Sequence, residues 1–86
     1  MPEISRFLGI VIRMYFQDHN PPHFHVVYNN YGASIDIENF QIIKGDLPPR
    51  VHGIVVEWAS QHKEELIDNW KKAKDSQTPN KIEPLI

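Results

Sequence analysis

The hydrophobic pattern of the chain changes period once, near Gly45. Before that point apolar and polar residues alternate; after Pro49 apolar residues recur every three to four positions. Alternation marks half-buried strands, and a 3.6-residue period marks an amphipathic helix. Residues 7–16 are rich in β-branched and aromatic side chains and predict a first strand. Leu8, Ile10, Ile12, Met14 and Phe16 fall on one face, and Phe7, Gly9, Val11, Arg13 and Tyr15 on the other. Residues 23–28 predict a second strand, 33–38 a third and 41–43 a short fourth. Asn29 and Asn30 suit a two-residue turn, since Asn tolerates positive φ.

That turn fixes a register. Tyr28 falls opposite Tyr31, Val26 opposite Ala33, His25 opposite Ser34, Phe24 opposite Ile35 and His23 opposite Asp36. Apolar then meets apolar throughout, and a one-residue slip would destroy the match. On the first hairpin the same logic sets His23 opposite Tyr15 and His25 opposite Arg13. Two cross-strand rows result, Tyr15–His23–Asp36 and Arg13–His25–Ser34.

Gly45-Asp46-Leu47-Pro48-Pro49 then leads into helix, with Asp46 as the expected cap. Val51, Ile54, Val55, Trp58, Leu66, Ile67 and Trp70 hold one period over residues 49–74. One long helix is the first expectation, and two helices breaking near Gln61 and His62 the alternative. Residues 81–86 suit an edge strand, where Pro84 is tolerated. The expected fold is a single α+β domain. It divides into a β-meander (1–45), a helical segment (46–75) and a tail (76–86). A three- or four-stranded antiparallel sheet is packed on one face by a long C-terminal helix or two consecutive helices. Phe24, Val26, Ile35, Ile37, Val55, Trp58, Leu66 and Trp70 should share the core, leaving the histidine-bearing face opposite the helix.

Composition narrows the function. The chain has 86 residues, enough for one modest core. Its net charge of −2 gives no footprint for indiscriminate nucleic-acid binding. It has no cysteine, so disulfide frameworks and thiolate metal sites are excluded. Met1 to Ser5 lacks a basic segment followed by an apolar one, and no apolar run is long enough for a membrane span. A cytoplasmic protein is expected.

The candidate chemistry lies in Asp18-His19-Asn20-Pro21-Pro22-His23-Phe24-His25. The proline pair stiffens the entry to the second strand. His23 and His25, two residues apart, point to one face about 6.6 Å apart. Three readings compete: a face that binds a partner protein is favoured, a ribonuclease comes second and a metal site third. A metal site would use His23 and His25 with Asp36 or His19 as third ligand, but Arg13 opposite His25 opposes a cation. No cofactor and no stoichiometric metal are therefore expected. A metal-independent ribonuclease would use His23 as base held by Asp36, His25 or His19 as acid, and Arg13 to hold phosphate. A binding face would add Tyr15, Asp18, His19, Ser34 and Asp36 to that catalytic set of Arg13, His23 and His25, and would contact a protein or RNA. The helix histidines suggest less: His52 is expected at the surface, and His62 in phase with the apolar stripe.

Several segments resemble one family. They are Pro2-x-Ile4-Ser5-Arg6-Phe7-x-Gly9-Ile10-x-Ile12-x-Met14-Tyr15, the Asp18–His25 segment, Leu47-Pro48-Pro49-Arg50, Glu57-Trp58, His62-x-Glu64-Glu65-Leu66, Asn69-Trp70 and Lys81-Ile82-Glu83-Pro84-Leu85. Together they are similar to the bacterial family called domain of unknown function 4160. The segment Val26 to Asn30 departs from it, where the family more often has Ala and an acidic residue. The resemblance implies a short bacterial protein whose gene neighbours one for domain of unknown function 2442. It thus implies a partner protein and a toxin–antitoxin-like or regulatory two-gene module, with RNA as a further candidate target. It transfers no catalytic residue. A homodimer also fits a protein of this size.

Overall fold

The computed structural model describes residues 2–86. Five strands form one antiparallel sheet in chain order: β1 (Glu3–Phe7), β2 (Ile10–Arg13), β3 (His23–Tyr28), β4 (Tyr31–Asp36) and β5 (Ile42–Gly45). Two helices follow, α1 (Pro49–Gln61) and α2 (Lys63–Lys74). The α+β meander-then-helix order matches the sequence reading, but the sheet has five strands instead of three or four.

The extra strand comes from residues 7–16, which are not one strand. Leu8 and Gly9 take φ of 51° and 76°, both left-handed, and turn the chain between β1 and β2. That geometry is the two-residue hairpin turn matching the sheet's twist. The turn reverses parity, so Phe7 is buried while Leu8 is exposed. A register irregularity between Glu3 and Ser5 lets Ile4 and Ser5 both be buried in succession.

The central register follows the sequence reading. Tyr28 pairs with Tyr31, Val26 with Ala33, His25 with Ser34, Phe24 with Ile35 and His23 with Asp36. Arg13 pairs with His25, and Val26 with Ile12. Tyr15 lies beyond the end of β2, so the pairing of Tyr15 with His23 does not form. The third expected strand starts two residues earlier and stops at Asp36. There the Asp36 carboxylate accepts the Glu38 N–H at 2.6 Å and a turn begins. The fourth runs on to Gly45, whose φ of +82° only glycine adopts readily. A Cβ there would collide with the Gly32 carbonyl oxygen.

The helical segment breaks at His62, whose φ/ψ of −131°/25° is not helical. An unbroken helix over 49–74 would be about 39 Å long, longer than the molecule's largest extent of 33 Å. Bending at His62 keeps both halves on the sheet. The Asp46 cap does not form either. Pro48 occupies the cap position with no side-chain cap, and the Asp46 carboxylate accepts the Leu47 N–H instead. Leu66 N–H bonds to the His62 carbonyl, and the His62 ring pairs with Glu65 at 2.7 Å. His52 is half-buried and bonds through Nε2 to the Phe40 carbonyl at 2.8 Å, stapling α1 to the turn before β5.

Trp58 centres the core at 0% exposure, 5.5 Å from the Phe7 ring and 6.0 Å from Phe24. All eight residues expected in the core are buried. The tail is not a strand. It makes one backbone bond to β1, Ile82 N–H to Ile4 O. Trp58 Nε1–H then takes the Glu83 carbonyl, and Pro84 has no N–H to continue a ladder. Buried Asn69 completes the fastening by bonding both the N–H and the C=O of Asn80. No helix among the described residues is long and apolar enough to cross a membrane.

Candidate metal centre

The β2–β3 connection leaves the sheet at the end opposite both tight turns. It is pinned to the C-terminus of α2. Gln17 N–H donates to the Ala73 carbonyl at 3.0 Å, Gln17 Nε2 to Ser76 Oγ at 2.8 Å, and Lys74 Nζ to the Asp18 carbonyl at 3.0 Å. The last carbonyls of a helix lack intrahelical donors, so Ala73 is a natural anchor. On the other side Ile37 N–H holds the Pro22 carbonyl at 3.0 Å. The Asn20–Pro21 peptide is cis.

This clamp turns the Asp18 carboxylate onto both strand histidines. One oxygen, Oδ2, lies 3.0 Å from His23 Nε2 and 2.9 Å from His25 Nε2. The other, Oδ1, accepts the His19 N–H at 2.9 Å. One ligand-type atom from each of Asp18, His23 and His25 lies within 4.8 Å of the other two. The two imidazoles meet edge to face at 5.0 Å, Tyr15 covers His25 at 4.0 Å, and Trp70 covers His23 at 5.2 Å. The side chains of Asp18, His23 and His25 are 20%, 11% and 20% exposed.

Electrostatics keep the carboxylate ionised and His25 neutral. Burial pushes Asp18 upward, but the hydrogen bonds from His25 and the His19 N–H, with the charges of His23 and His25, bring its pKa below the ordinary value. His25 is lowered. Burial contributes most and the His23 and Lys44 charges add to it, against the opposing hydrogen bond to Asp18. Its Nδ1 faces Ser34 Oγ at 3.3 Å.

His23 has an unusual hydrogen-bonding demand. Its Nδ1 lies 2.7 Å from the Pro21 carbonyl oxygen, which can only accept, so Nδ1 carries a proton and donates. Its Nε2 faces Asp18 Oδ2 at 3.0 Å, again an acceptor when the carboxylate is ionised. A neutral imidazole has only one N–H. Nε2 therefore carries a second proton or shares a cation with Asp18.

The expected site residues divide. Asp18, His23 and His25 come together. Tyr15 and Ser34 both contact His25. Arg13 stands between Glu3 and His25 in the register but makes no hydrogen bond to the cluster. His19 is exposed and contributes its backbone N–H. Asp36 pairs with His23 along the ladder, yet its carboxylate serves the turn at Glu38. The carboxylate partner of His23 is thus Asp18. His23 also departs from the expected open face: it is only 8% exposed, beneath Trp70 of α2. Gln17 and Lys74 escaped the sequence reading, and Trp70 was read as a core residue without its contact to His23, because loop-to-helix contacts leave no periodic signal. Lys44 pairs with Ser34 and would have been found had β5 been extended by one residue.

A family model described as Domain of unknown function (DUF4160) matches residues 9–71. The chain belongs to the DUF4160 family. The matched stretch contains the whole Asp18–His25 segment and most of both helices, so the clamp's loop lies inside the DUF4160 region. Lys74 and the tail lie outside it. No curated protein and no solved structure matches the chain.

Proposed function

We propose that this DUF4160 protein binds a divalent first-row transition metal through Asp18 Oδ2, His23 Nε2 and His25 Nε2. The observation that carries the reading is the His23 ring, with an acceptor at each nitrogen. A ligating histidine characteristically donates its other N–H to a backbone carbonyl, which fixes tautomer and ring plane. The Pro21 carbonyl does this for His23. Ligand atoms around a tetrahedral zinc stand about 3.3 Å apart, given bonds of 2.0–2.1 Å. The contacts of 2.9 and 3.0 Å need only a small opening to reach that spacing. Two imidazoles and a carboxylate suit Zn²⁺ or Fe²⁺ better than Mg²⁺ or Ca²⁺. Three protein ligands leave a coordination position for water or substrate, where a metal would act as a Lewis acid. This reading replaces Asp36 by Asp18 as third ligand.

Zinc titration by calorimetry, with metal content after dialysis, tests it. One Zn²⁺ per chain is expected, lost in His23→Ala and in Asp18→Asn. A wild-type protein that retains no metal, with His23 doubly protonated by its ¹⁵N shifts at pH 7, would replace the metal by an imidazolium–carboxylate pair.

A second reading, a partner protein in a two-gene module, is favoured by large apolar side chains in solvent. Leu8 and Tyr31 stand at the tight-turn end of the sheet, 54% and 42% exposed, and Ile43 on the β5 edge is 46% exposed. Co-purification with the neighbouring gene's product, weakened by Leu8→Ser and Tyr31→Ser, is the expected result. Unchanged recovery of the partner by those variants would exclude this surface.

A further inference from the structure

The outer face of the sheet carries a polar row that shares only His25 with the metal centre. Arg13, His25, Ser34 and Lys44 are successive register partners across β2, β3, β4 and β5. Between the last three of them lies an open cleft of about 300 Å³, walled by Tyr15, His25 and Lys44. Its floor includes Gly32, Ser34 and Gly45. Two glycines leave the sheet surface bare there, and Gly45 is fixed by its own backbone geometry. The chain as a whole is acidic, with 11 carboxylates against 9 lysines and arginines. Yet no carboxylate lines this cleft. The lining offers an ammonium, two hydroxyls and the Nδ1 edge of an imidazole. Lys44 is exposed, and its charge reaches His25.

We infer that this cleft binds the phosphate group of a nucleotide. Lys44 supplies the charge, and the Ser34 and Tyr15 hydroxyls supply donors to phosphate oxygens. An ammonium with hydroxyl donors matches a phosphate's clustered acceptors. The Tyr15 ring gives a stacking surface at the cleft wall, the usual means of holding a base without reading its edges. The volume stands at the small end of ligand sites, a size for one nucleotide unit. An apolar ligand would find a charged wall and no enclosure. The inference goes beyond the metal reading: Asp18 and His23 do not line the cleft, His25 turns only its Nδ1 edge to it, and the phosphate contacts fall on Lys44, Ser34 and Tyr15.

The test is a ¹H–¹⁵N NMR titration of ¹⁵N-labelled protein with AMP in the presence of EDTA, which removes any direct metal–phosphate contact. Saturable shifts at the amides of Gly32, Ser34, Lys44 and Gly45 are expected, with competition by inorganic phosphate. Lys44→Gln should weaken AMP about tenfold, as loss of a charge-assisted bond does. Lys71→Gln, at an exposed lysine of α2 outside the cleft, should bind AMP as the wild type does, and because EDTA keeps the protein metal-free, failure of the metal reading is distinguishable from failure of this one. Adenosine should bind at least tenfold more weakly than AMP. Equal affinity for adenosine and AMP would overturn the inference. So would shifts that do not saturate, or that ignore Lys44→Gln.

Discussion

The two ends of the sheet are built by different means. At one end Leu8–Gly9 and Asn29–Asn30 each turn the chain in two residues, and Leu8, Gly9 and Asn29 take positive φ. Those turns use backbone geometry alone and leave their side chains in solvent. At the other end the chain takes nine residues, 14–22, to pass from β2 to β3. This connection is held by side chains and by a second element: Gln17 on α2, Lys74 on Asp18, and Asp18 on both histidines. A hairpin needs no such length, and a loop without function has no need of a carboxylate aimed at two imidazoles. Where a short connection would suffice, the longer one carries the candidate site.

If that division is right, the core should feel the apolar face strongly and the cluster weakly. Trp58→Ala removes a fully buried indole, its ring contacts with Phe7, Phe24 and His62, and the bond to Glu83. A loss of about 3–5 kcal/mol is expected, read from urea midpoints. An unchanged midpoint would remove Trp58 from the centre of the core.

The clamp is tested by separating binding from folding. Lys74 touches Asp18 only through the backbone carbonyl and lies over the Trp70 ring, 5.7 Å from its centroid. It is a positioning residue. Lys74→Met should weaken Zn²⁺ about tenfold, within the range for groups that orient metal ligands, while shifting stability by no more than about 0.5 kcal/mol. Lys74→Arg should restore most of the affinity. If Met and Arg bind zinc as the wild type does, the loop is ordered without α2.

The same contrast explains what the sequence made legible. The β3–β4 register was readable because five cross-strand pairs had to agree at once, and only one alignment satisfied them. The helix break was legible only as the alternative to one long helix, because His62 leaves the helix without changing the phase of the apolar stripe: Trp58, Leu66 and Trp70 all stay buried. The Leu8–Gly9 turn was hidden by an unbroken apolar run, with leucine in a left-handed conformation that its side chain disfavours. At the site, both histidines followed from strand parity. Their carboxylate did not, since parity pointed to Asp36 across the ladder. Asp18 reaches them from an irregular loop whose path depends on α2.

The smallest effect is electrostatic and concerns the metal-free protein. The His25 pKa is lowered, chiefly by burial, and that of Asp18 is lowered against its burial. Both displacements carry one sign. Below about pH 6.5, the ordinary histidine value, unfolded His25 takes up a proton that the folded ring resists. The unfolded state then binds more protons, so stability falls as pH falls, until the lowered folded value is passed. Asp18 adds a later loss at more acid pH. It stabilises above the ordinary carboxylate value and ceases to do so as pH drops through its folded value. Partial solvent exposure of both side chains keeps each contribution modest. Urea midpoints of EDTA-treated wild type and His25→Gln, measured from pH 8 to pH 5, isolate the histidine. The wild type should lose stability relative to the variant below about pH 6.5. Parallel curves over that range would mean that His25 is as free to protonate in the fold as in the unfolded chain, and that the loop does not enclose it.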